Sequence, residues 1–254
     1  MWKTGLTSVT FRKLSCEEII QLASRARLDG IEWGGDGHVL PGAPEAAAKV
    51  AADTRAAGLE VLSLGSYYRA GSDDASVGDQ VLELARAMDT RMVRVWAGKL
   101  GSAAAEGEPR RRVVEALIRL CDEAARMGVT IATEYHANTL TDNAPSALRL
   151  LHEVGRDNFR TYWQPVVYDP CEVNVRALSA VLPRTANIHV FSWTLENGAL
   201  VRQPLENGAR DWARYLDVLR GSDESRAFIM EFVRGDDPDA FLADAAVLNR
   251  WIRS

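Results

Sequence analysis

Short apolar runs alternate along this chain with longer stretches whose apolar residues recur at helical spacing, and the alternation repeats eight times. Leu6 to Phe11 predicts a first strand. It is followed by the capping-box pattern Ser15-Cys16-Glu17-Glu18 and by Ile19, Ile20, Leu22, Ala23 and Ala26 on one helical face. Ile31-Glu32-Trp33 predicts a second strand before the glycine-rich loop Gly34 to His38. Pro44 to Ala57 is an alanine-rich helix closed by Gly58, and Glu60 to Leu64 is the third strand. A helix over Asp79 to Met88 and a strand over Met92 to Trp96 come next. The longest helix, Pro109 to Met127, stops at Gly128, and the β-branched run behind it is a fifth strand ending at Glu134. Asn143 and Pro145 open a helix that Gly155 closes, and Phe159 to Gln164 is the sixth strand. A helix over Val173 to Leu182 and a seventh strand over Ala186 to Phe191 lead into a longer loop, Ser192 to Gly208. Beyond it lie a helix over Trp212 to Arg220, an eighth strand over Ala227 to Phe232, and a last helix capped by Asp237-Pro238 and ending near Ile252.

Eight βα units without a linker or a break in composition predict an α/β protein, a single (β/α)8 TIM barrel occupying residues 1–254. A doubly wound sheet would not need so regular a series. The net charge of -5 counts against a nucleic-acid partner, which calls for a concentrated basic surface. Arg110-Arg111-Arg112 opens a helix and reads as a solvated face. Cys16, Cys121 and Cys171 are odd in number and lack metal spacing, which fits reduced thiols. The N-terminus has no apolar signal region and no run is long enough to span a bilayer, so a cytoplasmic protein without a membrane partner is expected. Oligomeric state is left open.

In such barrels the active site lies where strands end and βα loops begin. The fifth strand ends in Glu134 and His136, the sixth in Gln164, the seventh carries His189 and the eighth Glu231. Two carboxylates, an amide carbonyl and an imidazole from four successive strands form an octahedral-type N/O donor set with room for substrate oxygens. The structural alternative for each residue alone is a satisfied ion pair or cap. Arg94 and Trp96 alternate with Val93 and Val95, which places them in the barrel mouth, Arg94 within reach of Glu134 or of a substrate oxygen. His38 can reach in from the second loop. Trp33, Trp96, Trp163, Trp193, Tyr67 and Tyr68 stand at or beside strand ends, where flat rings suit the C-H faces of a sugar, core packing being the alternative for each.

These segments resemble the xylose isomerase-like TIM barrels, a superfamily of sugar isomerases, ketose 3-epimerases, inosose dehydratases and class II AP endonucleases. The resemblance is carried by Asp29-Gly30-Ile31-Glu32, Glu134-Tyr135-His136, Ile188-His189-Val190 and Met230-Glu231-Phe232. It implies one divalent metal, often manganese, held by a Glu, an Asp, a His and a Glu from strands five to eight. Glu134, His189 and Glu231 match three of these, and Gln164 stands where the Asp is usual. Val167 stands where an Asp-x-x-His pattern would supply a further histidine, and Phe191-Ser192 replaces a common Lys-Asp. With a neutral carbonyl for a carboxylate, the bound dication is a stronger Lewis acid and more weakly held.

The expectation is therefore a divalent-metal-dependent isomerase or epimerase of a small sugar or keto-sugar. Its metal would be manganese, with magnesium, cobalt or zinc as alternatives, on Glu134, Gln164, His189 and Glu231. Glu134 and Glu231 would exchange protons, and His38, Tyr67, Arg94, Trp96, His136 and Trp193 would contact substrate. Two alternatives stand beside it: a dehydratase of the inosose dehydratase type, and a sugar-binding barrel without catalysis. Four histidines and an acidic balance disfavour DNA repair at a multi-zinc centre. The Ser192 to Gly208 loop is the expected lid.

Overall fold

Each predicted strand enters one closed parallel barrel, described here over residues 1–253 of a computed structural model. In chain order the barrel strands are β1 (Lys3–Thr7), β2 (Gly30–Gly34), β3 (Glu60–Arg69), β4 (Met92–Trp96), β5 (Thr130–Thr133), β6 (Phe159–Trp163), β7 (Thr185–Val190) and, after an antiparallel hairpin β8 (Trp193–Glu196) and β9 (Ala199–Arg202), β10 (Ala227–Met230). Neighbours around the barrel follow sequence order, and β10 closes onto β1 through Lys3↔Ala227 and Leu6↔Met230. The helices α1 (Cys16–Arg25), α2 (Pro44–Ala56), α3 (Ala75–Ala87), α4 (Glu108–Ala125), α5 (Ala144–Val154), α6 (Cys171–Val181), α7 (Ala209–Arg220) and α8 (Pro238–Arg253) connect the strands. No helix among the described residues is long and apolar enough to cross a membrane.

The strands are apolar on the side that meets the helices. Ile31, Leu64, Val93, Val95, Ile131, Phe159, Ile188 and Phe228 are fully buried there with the inner faces of the helices. Helix starts follow the sequence signals. Ser15 and Glu18 form the reciprocal capping box of α1, and the Asn143 side chain accepts from the Ser146 N–H at the start of α5.

Four expectations shift. The first strand lies earlier than Leu6 to Phe11, because its ladder begins where Lys3 pairs with β10 and the Asp29 carboxylate accepts from Thr4 N at 2.7 Å; Ser8–Phe11 is a 3-10 turn. The third strand runs on past Leu64 through Gly65 to Arg69. A Cβ on Gly65 would lie 2.7 Å from Arg94 Nη2 and 3.0 Å from Glu32 Oε1, so the glycine is a close-approach residue of the barrel interior. The loop from Ser192 to Gly208 is built around the β8–β9 hairpin, with Trp193 opposite Arg202 and a 3-10 turn over Leu205–Gly208. Of the arginine run, Arg111 and Arg112 are exposed, whereas Arg110 is buried, its Nε 2.7 Å from Glu153 and its Nη1 3.2 Å from Ser146 Oγ.

Candidate functional site

The inward-facing residues at the C-terminal ends of the strands form a buried charged cluster. Glu134 directly follows β5 and Glu231 directly follows β10. Both remain on the ladder, Glu134 N donating to Val95 O at 3.1 Å and Glu231 N to Val190 O at 3.0 Å, so their side chains are aimed by the sheet. His189 lies within β7 and is completely buried. One ligand atom from each of Glu134, His189 and Glu231 falls within 4.8 Å of the others, a span that one cation with bonds near 2.0–2.2 Å can bridge after small adjustments. Gln164 joins them, its Oε1 3.1 Å from His189 Nδ1. The same nitrogen is 3.4 Å from Glu231 and 3.7 Å from Glu134. Nδ1 therefore faces all the candidate donors.

The other imidazole nitrogen identifies a member of the site that the strand-end search passed over. His189 Nε2 lies 3.3 Å from Glu32 Oε1, and Glu32 is fully buried in the middle of β2. A carboxylate behind a ligating imidazole sets its ring orientation and tautomer. Ser63 donates to the other Glu32 oxygen at 2.7 Å, and Arg94 Nε reaches Oε1 at 3.3 Å. Arg94 Nη1 is also paired with Glu134. Arg94 thus ties β2 to β5 through the barrel interior. Tyr162 packs edge-on to His189 at 5.3 Å and accepts from Asn187 Nδ2 at 2.9 Å. A carboxylate in the otherwise apolar segment Gly30-Ile31-Glu32-Trp33-Gly34 was the available signal for Glu32; nothing in the sequence marked Ser63 or Asn187.

Burial alone would push Glu32 up, yet Arg94 and then His189 hold it far below the ordinary carboxylate range. Burial likewise raises Glu231, and His189, through its charge and a hydrogen bond, brings it below its usual value. The imidazole answers in turn: burial lowers its pKa, and Glu231 and Glu32 raise it to about 10. Three carboxylates against one guanidinium leave two negative charges, which a divalent cation beside a neutral His189 would cancel. The donor set and the charge balance both fit a divalent metal.

Around this cluster the mouth is aromatic. Trp96 lies 4.7 Å from the half-buried His136 ring and 6.2 Å from Tyr67, near-parallel to the latter. His136 Nδ1 is 2.8 Å from the Ala137 carbonyl, which leaves Nε2 as the acceptor of a neutral ring. Trp193 stacks on Phe191 at 4.3 Å and stands 6.1 Å from Phe232. His38 does not join them. Its Nε2 meets the Leu14 carbonyl at 3.0 Å and its ring abuts the edge of Trp33. Trp33 and Trp163 are fully buried on the helix side, Trp33 donating to Thr54 of α2 and Trp163 packed against Tyr215 of α7. Tyr68 is buried in the same apolar layer. The strand pleat explains these placements, since Trp33 and Trp163 neighbour the inward positions 32 and 164 and so point outward.

A closed (β/α)8 barrel with a buried N/O donor cluster at its C-terminal mouth defines the class. The chain belongs to the xylose isomerase-like TIM barrel family, whose model matches residues 20–251. Over 172 residues it is 28% identical to a 3-dehydroshikimate dehydratase of Bacillus anthracis, a match covering 62% of this chain and 60% of that protein's length. Its fold superposes on the crystal structure of a probable 3-DHS dehydratase from Bacillus anthracis with a TM-score of 0.80 at 22% identity, covering 98% of this chain and 99% of the other. An L-ribulose 3-epimerase structure matches with a TM-score of 0.78 at 16% identity, over 100% of this chain and 95% of the other. The proteins it resembles thus include a dehydratase and an epimerase.

Proposed function

We propose that this chain is a divalent-metal-dependent lyase that removes a proton from the carbon beside a carbonyl of a small polyhydroxylated compound and expels a neighbouring hydroxyl as water. Glu134, Gln164, His189 and Glu231 would hold the metal, manganese first among the candidates. When bound, the cation supplies Lewis acidity toward a substrate oxygen on which negative charge develops.

The observation that carries this reading is the inequivalence of the two carboxylates. Glu134 is ion-paired with Arg94, whereas Glu231 forms no salt bridge to an arginine among the described residues and pairs with His189, Arg94 acting on it only through its charge. A guanidinium ion-paired to a carboxylate occupies its oxygen and fixes its position, whereas a carboxylate without such a pair is free to approach a substrate carbon. Epimerisation calls for two matched acid–base groups on opposite faces of one carbon. Elimination needs one base and a return path for the proton. Glu231 accepts the proton from carbon, the C–H electron pair forms the new C=C bond, the C–O bond breaks, and the proton passes to the departing hydroxide as water. His136, resting on Trp96, binds a substrate hydroxyl through Nε2. The sequence similarity to a dehydratase supports the same outcome.

Epimerisation is the second reading, favoured by the approach of both Glu134 and Glu231 to one nitrogen of His189, at 3.7 and 3.4 Å, which turns both carboxylates toward one point. One experiment separates the two. The manganese-loaded protein is incubated in deuterated water with a panel of hydroxylated keto compounds, and products are followed by mass spectrometry and ultraviolet absorption. Elimination gives a product lighter by one water with a conjugated double bond. Epimerisation gives an isomer of the substrate carrying one deuterium. An isomer without solvent deuterium means hydride transfer, which excludes proton transfer by carboxylates, and no metal-dependent product with any compound returns the chain to ligand binding alone.

A further inference from the structure

The mouth of this acidic chain is ringed by arginines. Among the described residues four arginines lie over aromatic rings, and three of those contacts are at the mouth: Arg12 5.7 Å and Arg202 4.7 Å from the Phe232 ring centre, and Arg69 5.5 Å from that of Trp96. Phe232 directly follows Glu231 and adopts φ 54°, a left-handed conformation that a bulky residue takes only where its surroundings impose it. Arg69 forms no salt bridge among the described residues. Two further donors are unspent. Trp96 Nε1 and Trp193 Nε1 are buried without a hydrogen-bond partner among the described residues, and an unpaired buried donor is costly. An acceptor from outside the chain would satisfy them.

Arg12 is the best placed of the three. It follows the 3-10 turn after β1, and its Nε donates to Asp36 at 2.8 Å, Nη2 to the Tyr67 hydroxyl at 2.7 Å and Nη1 to the Val9 carbonyl at 3.2 Å. These contacts hold it across the loops after β1 and β2 and the end of β3, while Phe232 supports its face from the loop after β10. The candidate metal ligands come from β5, β6, β7 and β10, so a substrate spanning the mouth would have the metal cluster at one end and Arg12 at the other. Of five guanidinium N–H groups three are engaged, leaving one on each terminal nitrogen to donate to an oxyanion. Asp36 already sits on Nε, an internal carboxylate on the same cation.

We propose that Arg12 is a specificity-determining residue that binds an anionic group, a carboxylate or a phosphate ester, on the substrate of the site proposed above, and that the substrate is accordingly an anion rather than a neutral sugar. This rests on the reading of the mouth as an active site. Because the metal-loaded cluster is electrically balanced, it does not repel such an anion.

Three ligands of related ring chemistry test it by calorimetric titration of the manganese-loaded protein: quinate, myo-inositol 1-phosphate and uncharged myo-inositol. The expected result is that at least one anion binds more tightly than myo-inositol. Preference for quinate assigns the group as a carboxylate, and preference for the phosphate ester as a phosphate. Arg12→Gln should weaken the preferred anion roughly ten- to a hundredfold, as loss of a charged hydrogen-bonding partner does, with Arg12→Lys intermediate. Asp36→Asn should tighten it, because the competing carboxylate is gone, whereas a merely structural Arg12–Asp36 pair would make both variants bind more weakly. Equal affinity for all three ligands, binding by none, an unchanged anion affinity in Arg12→Gln, or weakening in Asp36→Asn overturns the proposal. Because binding is read without turnover, an Arg12-dependent anion preference in a protein that shows no metal-dependent proton abstraction would sink the lyase reading and leave this one standing.

Discussion

Two layers of the barrel interior lie one pleat apart on the same strands and have opposite character. In the lower layer Ala132, Tyr162, Ala227 and Ile229 pack with Leu62 and Met92 as hydrocarbon. Two residues further along four of those strands stand Arg94 after Met92, Glu134 after Ala132, Gln164 after Tyr162 and Glu231 after Ile229. The backbone that presents the two layers is one ladder. Only the side chains change, from groups that gain by leaving water to groups that lose by it unless they are compensated. The apolar floor holds its shape through packing, and the charged layer through mutual neutralisation by Arg94, His189 and, in the proposed reading, a metal. Stability and chemistry are thus divided between adjacent rings of the same barrel, with the chemistry at the C-terminal face.

Breaking each layer separately sharpens that division. The largest expected effect is Glu231→Gln, which should reduce turnover by about a hundred- to ten-thousandfold as loss of a general base does, with metal content retained through the amide. Kinetics alongside metal analysis checks it, and a variant that loses metal and rate together would assign Glu231 to holding the ion only. In the floor, Ile229→Ala should lower unfolding free energy by about 2–5 kcal/mol in urea titrations while metal stoichiometry stays the same. If metal is lost at the same time, the layers are not separable. Glu32→Gln should weaken metal binding about ten- to a hundredfold by removing the carboxylate behind His189, measured by competition with a chelator. Gln164→Asp runs in the opposite direction. An added charge next to a dication should tighten the metal by about tenfold or more, well within the roughly 4 kcal/mol available to two charges 4 Å apart near a protein surface. Unchanged affinity would remove Gln164 from the ligand set. The smallest effect belongs outside both layers: replacing the β8–β9 hairpin by a short turn should raise KM roughly several-fold with metal content unchanged, since Trp193 and Arg202 border the mouth through Phe191 and Phe232. Identical kinetics would show that the hairpin does not cover substrate.

The fold could be read from the sequence because each βα unit carries its own local signals. The Ser15–Glu18 capping box, the Asn143 cap and Gly155 at the end of α5 are decided within a few residues of chain, and all three are present in the structure. Strand limits were less legible, since a ladder ends where its partner ends. Lys3 is a strand residue because Ala227 lies beside it, and Arg69 because Trp96 does. The candidate metal residues were legible for a third reason: Glu134, Gln164, His189 and Glu231 each stand at or near the end of an apolar run, and those ends converge in any barrel. Glu32 was not, because a carboxylate in mid-strand gives no sign of which distant side chain compensates it. Of the two readings open for Trp33 and Trp163, core packing is the one realised, which the pleat decides and residue type does not, while His38, expected to reach in from the second loop, is turned to the Leu14 carbonyl.

The sequence by itself determined the eight-fold alternation, the closed barrel it implies and the set of ligand-type residues near the strand ends, because these depend on local periodicity and on a geometry common to every such barrel. Only the tertiary structure decided that Arg94 bridges Glu32 and Glu134, that His189 turns Nδ1 to the candidate ligands and Nε2 to Glu32, and that Gly65 must lack a side chain to admit them. Those facts follow from charges brought together across separations of up to 157 residues in a space from which water is excluded, where each group's partner is fixed by the need to neutralise it and not by its place in the chain.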